Sequence, residues 1–430
     1  MQVTLAVLGC GARGRNTYGT CLLSMGARAR VNAIAELRDD RRDAMAMEHQ
    51  VQPELVFTDA EDLLRRERLA DAVLICTQDR QHVGMAIQAM EKGYHVLLEK
   101  PVSGSLEEIR RLLEVKDKTG RHVVVCHVLR YTPFFRTLHG LLREGRIGEI
   151  LSIQAVENVG YWHMTHSFVR GNWRSTGETS PMILQKCCHD LDYLVWLTGK
   201  RVRSVSSQGS LSYFRPEKAP EGATMRCMDG CKVRESCPYD CEKIYLDHPR
   251  VGFRSGHTGW PLDVVALCPT EESLTRALME GPYGRCVFHC DNDVADHQTV
   301  QMEMEGGCAA LLNMACTTSR QGRELIICGT LGDIRADTES NQIRVGVFGR
   351  EPEIIDVNRL ASDFSGHGGG DRRLLEAFLD LMEGKGTDPA LTTLEESLES
   401  HLAALAAEKS RLDGGRKIDL EEMRHTGGGA

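Results

Sequence analysis

The 430-residue chain is 41% apolar and 26% charged, with a formal net charge of -9; at ~150 residues per domain it holds two or three domains with substantial cores. Acidic and basic residues are interleaved, which argues against a nucleic-acid face, and no apolar run approaches the ~20 residues of a membrane span. Residues 1–8 read as a strand instead of a secretory leader, and the sixteen cysteines lie mostly singly in apolar runs, as Cys76, Cys126 and Cys328 do, so a soluble protein of the reducing cytoplasm is expected.

Short apolar runs at residues 3–8, 31–35, 72–77, 95–99 and 122–126 alternate with helical stretches, the pattern of a parallel sheet wound with helices. Between the last two, Ser105 and Glu108 form a capping box and Gly120 closes the helix. The first run ends in Gly9-Cys10-Gly11-Ala12-Arg13-Gly14. Glycines at this spacing let the backbone turn tightly and approach a pyrophosphate, whose charge then rests on the amides and dipole of the helix start. Glu36, about 20 residues further at the end of the next run, is placed for the ribose hydroxyls of NAD, while Arg38 keeps NADP open. Residues 1–126 are therefore expected to be an NAD-binding Rossmann domain, an α/β doubly wound parallel sheet.

From 127 to 370 the texture changes to a helix at 133–144, a strand at 149–157, an aromatic loop at 161–174 and a helix at 181–197. Period-2 runs at 297–305 and 308–316 are joined by Gly306-Gly307 as a hairpin. This predicts an α+β domain with a large, mainly antiparallel sheet, interrupted by an aperiodic Cys-, Pro- and Gly-rich insertion at about 216–269. Helices at 372–382 and 393–412, and a glycine tail at 427–429 expected to be disordered, fill residues 371–430.

Two runs carry a resemblance: Ile75-Cys76-Thr77-Gln78-Asp79-Arg80-Gln81-His82, and Gly93-Tyr94-His95-Val96-Leu97-Leu98-Glu99-Lys100-Pro101. With Gly148-Glu149-Ile150 and Gly171-Asn172-Trp173-Arg174 following in order, the chain resembles the glucose-fructose oxidoreductase and inositol dehydrogenase (Gfo/Idh/MocA) family over essentially its whole length. The resemblance implies cofactor contacts from Thr77, Gln78, Asp79, His82, Glu99 and Lys100 beside those of Gly9, Gly11, Ala12, Arg13, Gly14 and Glu36. It also implies that Lys100 sits beside the nicotinamide and the substrate hydroxyl. Removing hydride from a carbinol leaves a proton on oxygen, so the site needs a base. A lysine crowded by the positive nicotinamide ring gives up its proton more readily, which suits Lys100 to that role. The family's Asp, four residues before a His, is here Gln185, which cannot titrate, while His189 and Asp192 match. Spacings of three and four put Gln185, Lys186, His189 and Asp192 near one helical face. Lys186 is expected to replace the missing carboxylate in a catalytic set with Lys100 and His189.

Tyr161, Trp162, His163, His166, Trp173 and Arg174 form a loop whose aromatic faces suit a sugar ring and whose imidazoles and guanidinium suit hydroxyls or an anionic substituent. Arg130, Tyr131, Asp192 and His367 are expected on the same substrate side. The run His367-Gly368-Gly369-Gly370-Asp371 resembles an active-site loop of some family members and reads equally as a flexible turn capped by Asp371. Cys227, Cys231, Cys237 and Cys241 lie in an insertion with no evident core, where a structural Zn2+ held by four thiolates is the expected source of order. Cys286 or Cys290 could replace Cys241; an iron-sulfur cluster, disulfides and free thiols are the alternatives. The expected function is an NAD-dependent oxidoreductase acting on a secondary hydroxyl of a sugar, glycoside or cyclitol, and the resemblance implies a homo-oligomer, dimer or tetramer. One rival is an NAD-dependent glycosidase working through transient oxidation, elimination, hydration and re-reduction, which the Arg13-Gly14 ending resembles. The other is a non-catalytic nucleotide-binding sensor, motivated by Gln185.

Overall fold

Val3–Leu8 (β1) buries nearly every side chain, as a strand covered by helices on both faces must. It pairs in a parallel sheet with Ala29–Ala35 (β2), Val56–Phe57 (β3), Ala72–Ile75 (β4), His95–Leu98 (β5) and Val123–Val125 (β6), in the order β3-β2-β1-β4-β5-β6. The strand order reverses between β1 and β4, which leaves a ligand crevice at their carboxyl ends. The computed structural model describes residues 2–425; the tail expected to be disordered at 427–429 lies outside the described residues. Ser105 caps the helix Leu106–Thr119 by accepting from the Glu108 amide, and Gly120 adopts φ 63°. The capping box does not close, because the Glu108 carboxylate accepts from the Ser103 hydroxyl instead.

The second sheet contains Ile150–Asn158 (β7), Val202–Ser210 (β8), His297–Met304 (β9), Ala309–Ala315 (β10), Gly322–Gly329 (β11), Gly332–Asp337 (β12), Gln342–Val347 (β13), Glu353–Asp356 (β14) and Ile418–Asp419 (β15). Its order is β14-β13-β12-β11-β7-β10-β9-β8-β15, and only the β7–β10 pairing is parallel. The glycine pair folds β9 onto β10 with Glu303 opposite Ala309, the hairpin that alternation predicts. Helices Pro133–Arg143, Cys188–Thr198 and Leu394–Leu412 share this sheet's core through Phe135, Leu191, Leu194 and Leu402. Helix Ser365–Met382 instead buries Leu374, Leu375, Phe378 and Leu379 in the core around β1 and β2.

Two expectations are corrected here. The helix expected at 181–197 is broken into Met182–Gln185 and Cys188–Thr198 by a turn at Lys186 and Cys187. The insertion is not coreless: Cys241, Ile244, Tyr245, Leu246 and Leu262 pack with Trp162, Leu274 and Leu278 in an apolar cluster of their own. Among the described residues no helix is long and apolar enough to cross a membrane.

Candidate active site

The glycine turn is built by exclusion. Gly9 has φ 89°, and a Cβ there would lie 2.7 Å from the Cys76 carbonyl oxygen; at Gly14 it would lie 1.9 Å from the Gly9 oxygen. These contacts let the turn close on the end of β4. At Gly11 a Cβ would meet only the end of the Arg41 side chain, at 3.4 Å, so the backbone of Gly11 and the start of the helix Ala12–Gly19 face a space bordered by one flexible side chain. That is the geometry a pyrophosphate needs. Glu36, just past β2, accepts from the Cys10 amide at 2.7 Å and the Arg38 amide at 3.0 Å. The Arg38 guanidinium, the cation that kept NADP open, is bound to Asp40 at 2.6 Å. The cradle fits NAD.

Beneath it lies a polar layer. Arg13 donates to Glu99 at 2.6 Å, to the Tyr18 hydroxyl at 2.6 Å and to Asp371 at 2.7 Å, and lies 3.2 Å from His367 Nδ1. Tyr18 also donates to Glu99, at 2.9 Å. Burial pushes the Glu99 and Asp371 carboxyls up, and the Arg13 guanidinium between them more than reverses this, holding both below the usual carboxylate range. His82 has one ring nitrogen 2.8 Å from the Pro101 carbonyl oxygen and the other 3.1 Å from that of Thr77. Asp79 accepts from the Ser180 hydroxyl and, at 2.7 Å, from the Gln185 side-chain amide. Arg13, His82 and Glu99, expected against the cofactor, therefore spend their polar groups inside the protein, where they hold the loops that carry the glycine turn and Lys100, while Asp79 does so through one carboxylate oxygen and keeps the other buried without a partner. Gln78 is exposed at the start of the helix Asp79–Glu91, and the Thr77 hydroxyl lies 3.6 Å from Met85 Sδ.

Lys100 follows β5, and its Nζ donates to the Gln185 carbonyl at 2.7 Å. That carbonyl is open because the helix stops at Gln185, leaving its last oxygens without helical partners. His189, on the next helix, is 6% exposed; its ring centroid lies 5.8 Å from that of His127 and 6.1 Å from that of His367, and its Nδ1 has no partner. Burial, then the neighbouring Lys100, His127 and His367, push its pKa well below that of ordinary imidazole. His163 is half-buried with Nδ1 3.3 Å from the Gln321 amide, and its pKa is lowered by burial, then by the surrounding Lys186, His166, Lys100 and His367. The loop around His367 runs through positive φ from Gly366 to Gly369, and His367 Nδ1 lies 3.0 Å from Asp371. Lys100, His189, His163 and His367 thus share one end of the crevice.

The polar groups of the other expected residues are taken up by other partners. The helix break turns Lys186 toward β7, where its ammonium pairs at 3.0 Å with the buried Glu157, which also takes Arg323 at 3.0 Å. A lysine bound to a carboxylate does not stand in for a missing one. Asp192 is held by two Arg130 bonds of 2.7 Å, and Arg130 also reaches Glu396 at 2.7 Å, so this is a buried ion pair instead of a substrate contact. The Tyr131 hydroxyl is bonded to Thr392 in the N-terminal core. Arg174 binds Asp291 at 2.9 and 3.0 Å, and Trp173 lies against Phe168. Tyr161 lies against Tyr239 and His248; His166 Nδ1 lies 3.0 Å from the Tyr245 hydroxyl and its ring stacks on Tyr283. Trp162 is buried in the insertion's cluster.

Cys227 and Cys241 are buried in that same cluster, and Arg170 donates to Cys227 Sγ at 3.6 Å. A hydrogen bond with Cys241 and the Arg170 charge lower the Cys227 thiol below the usual range. Among the described residues no group of three or more His, Cys, Asp or Glu could hold a metal ion, and all sixteen cysteines are free. The zinc expected at Cys227, Cys231, Cys237 and Cys241 is thus not supported: burial supplies the order assigned to metal.

Sequence reasoning missed His127 and His401, which back His189, and Trp260 and Asp263 of the insertion. The His401 ring lies 5.7 Å from that of His127, and its Nε2 accepts from the Val102 amide at 2.9 Å. No spacing links these segments; only the fold brings them together.

A doubly wound domain with an open glycine cradle, a lysine at the switch-point crevice and a second domain built on one large sheet define an NAD-binding oxidoreductase. Residues 3–127 match the model of the oxidoreductase family's NAD-binding Rossmann fold, and residues 139–420 that of its C-terminal alpha/beta domain. The chain belongs to the Gfo/Idh/MocA oxidoreductase family. It is 26% identical to YteT of Bacillus subtilis (strain 168) over 348 residues, 76% of this chain and 75% of that protein. Over 205 residues it is 30% identical to an inositol 2-dehydrogenase of Corynebacterium glutamicum (strain R), covering 47% of this chain and 56% of that one. Two solved structures share the fold. An Agrobacterium radiobacter oxidoreductase in complex with NAD+, L-tartaric acid and magnesium gives a TM-score of 0.69 at 14% identity, over 98% of this chain and 100% of that one. The Bordetella pertussis WlbA dehydrogenase in complex with NADH and UDP-GlcNAcA gives 0.66 at 17% identity, over 97% and 99%.

Proposed function

We propose that the protein is an NAD-dependent dehydrogenase of a secondary hydroxyl on a sugar or cyclitol. The observation that carries this reading is Lys100 Nζ fixed on the Gln185 carbonyl, at the same crevice as the glycine cradle and beside a neutral His189. The inositol 2-dehydrogenases among the relatives, and the nucleotide sugar bound by the WlbA dehydrogenase, support the substrate class.

NAD, when bound, supplies the hydride acceptor. The backbone of Gly9, Gly11, Ala12 and Gly14 would hold its pyrophosphate and Glu36 its ribose. Lys100 Nζ takes the hydroxyl proton, so that charge does not build up on the carbinol oxygen as the C–H bond breaks. His189, kept uncharged by burial, can hydrogen-bond the carbinol oxygen through an imidazole nitrogen and hold it beside Lys100. Gln185 orients Lys100 through its carbonyl and Asp79 through its amide, which replaces the titrating role of the family's carboxylate by a positioning one.

A panel of sugars, cyclitols and aryl glycosides incubated with stoichiometric NAD+ tests the reading, with NADH and released aglycone both followed. NADH formation without aglycone is expected; aglycone release with no net NADH would overturn it in favour of a glycosidase. Arg13, on which the glycosidase resemblance rested, is bound to Glu99, Asp371 and Tyr18. In direct titration NAD(H) should bind more tightly than NADP(H), and Glu36→Ala should narrow the gap. We further propose a homo-oligomer: Leu151 of β7 and Ile354 of β14, with Leu331 and Phe348 in the connections beside β12 and β13, are more than half exposed. Light scattering should give a multiple of the 47.8 kDa chain mass.

A further inference from the structure

Residues 257–263 of the insertion are not used by the chemistry above, yet they reach both halves of the crevice. The Trp260 ring centroid lies 4.8 Å from that of His163 in an edge-to-face contact, 5.1 Å from that of Trp162 and 5.5 Å from that of His166. It is 36% exposed, so part of the indole is uncovered beside a histidine that itself neighbours Lys100 and His367. Three residues on, Asp263 accepts from the Asn16 side-chain amide at 2.7 Å. Asn16 belongs to the helix Ala12–Gly19, whose start forms the pyrophosphate cradle. The other carboxylate oxygen of Asp263 is buried without a partner. The segment is also braced within itself and packed from behind. His257 Nε2 lies 2.8 Å from the Trp260 carbonyl oxygen, and Leu262 is fully buried in the insertion's cluster.

We propose that residues 257–263 form a wall of the substrate cleft, and that Trp260 is a specificity-determining residue whose indole packs against the apolar face of a ring-shaped polyol, a pyranose or a cyclitol. The inference rests on the dehydrogenase reading above and deepens it. The faces of such rings present axial C–H groups, which an indole covers without competing for the hydroxyls that the lysine and histidines must reach. The Asp263–Asn16 bond ties this wall to the cofactor helix, so cofactor and substrate ring meet at a fixed separation.

Two measurements on the full chain test it. Hydrogen-deuterium exchange across residues 257–263 should slow when NADH alone is added, because the segment borders the helix that holds the cofactor; unchanged exchange overturns the placement of the wall. On whichever cyclic polyol of the panel yields NADH, Trp260→Leu should raise KM about tenfold while kcat and the KM for NAD+ change little, and Trp260→Phe should recover most of the loss. An unchanged substrate KM in Trp260→Leu overturns the role of the indole. If wild-type protein yields no NADH with any panel member, the dehydrogenase reading falls and the indole's role with it, while the exchange measurement still decides the placement of the wall.

Discussion

Lys100 and Lys186 both meet one helix break, Lys100 through the Gln185 carbonyl and Lys186 within the turn itself, and their partners separate their roles. Lys100 donates to a carbonyl, which orients its Nζ without supplying a counter-charge; Lys186 pairs with the buried Glu157. Lys100→Met should therefore abolish turnover while NADH still binds, since the cofactor is held at the glycine turn and Glu36. Near-normal turnover of that variant on an identified substrate would show the assigned base to be wrong. His189→Ala should lower kcat by ~10²–10⁴ with a smaller effect on KM. Lys186→Gln should leave the pH-rate profile unmoved and cost about 1–3 kcal/mol of stability, because Glu157 keeps Arg323 but loses one of its two cations. A displaced limb of that profile, with unaltered melting, would return Lys186 to the proton path.

At the scale of elements, what could be read from sequence had local, contiguous causes. The glycine turn between β1 and its helix, the Ser105 and Gly120 caps and the β9–β10 hairpin each follow from residues within a few positions of one another. The break after Gln185 carries neither glycine nor proline; Lys186 keeps helical angles and its amide still reaches the Met182 carbonyl, the course is lost at Cys187, and the Lys186 ammonium meets Glu157 on β7, a partner that only tertiary structure supplies. The insertion looked coreless because its apolar residues lack a period, yet Tyr245, Leu262 and Leu278 converge from separate turns and helices with Trp162. Hydrophobic burial alone should then hold it. Unfolding should be unaltered by a chelator, whereas Leu278→Ala, which empties a fully buried site, should cost about 2–5 kcal/mol. Stoichiometric metal by elemental analysis, with melting lowered in chelator, would restore the metal as the source of order.

Across the whole molecule, the two domains meet on uncharged histidines. His127 follows the last strand of the nucleotide domain, His189 opens the second domain's helix and His401 comes from the helix Leu394–Leu412; the His127 ring lies beside the other two. Burial depresses the pKa of all three, His401 to about 3, and it also lowers His166, to about 3. An unfolded imidazole titrates near 6.5, so below that pH the unfolded chain takes up protons that these four sites refuse. Their contribution to stability is complete above about 6.5 and is lost as pH falls toward the folded values, at about 1.4 kcal/mol per histidine and pH unit. Asp190, raised by burial, runs the other way: its contribution is complete below its unfolded value and is lost as pH rises through its folded one, so it offsets part of that fall. The expectation is a steep fall in stability once the pH is below 6, against the 5–15 kcal/mol that holds a domain folded. Urea midpoints measured from pH 7.5 to 5 should drop steeply below 6.5, and His127→Phe, which removes one refused proton, should flatten the slope. A midpoint constant over that range would mean that these histidines take up protons in the folded protein, and that the domain contact opens or hydrates to let them.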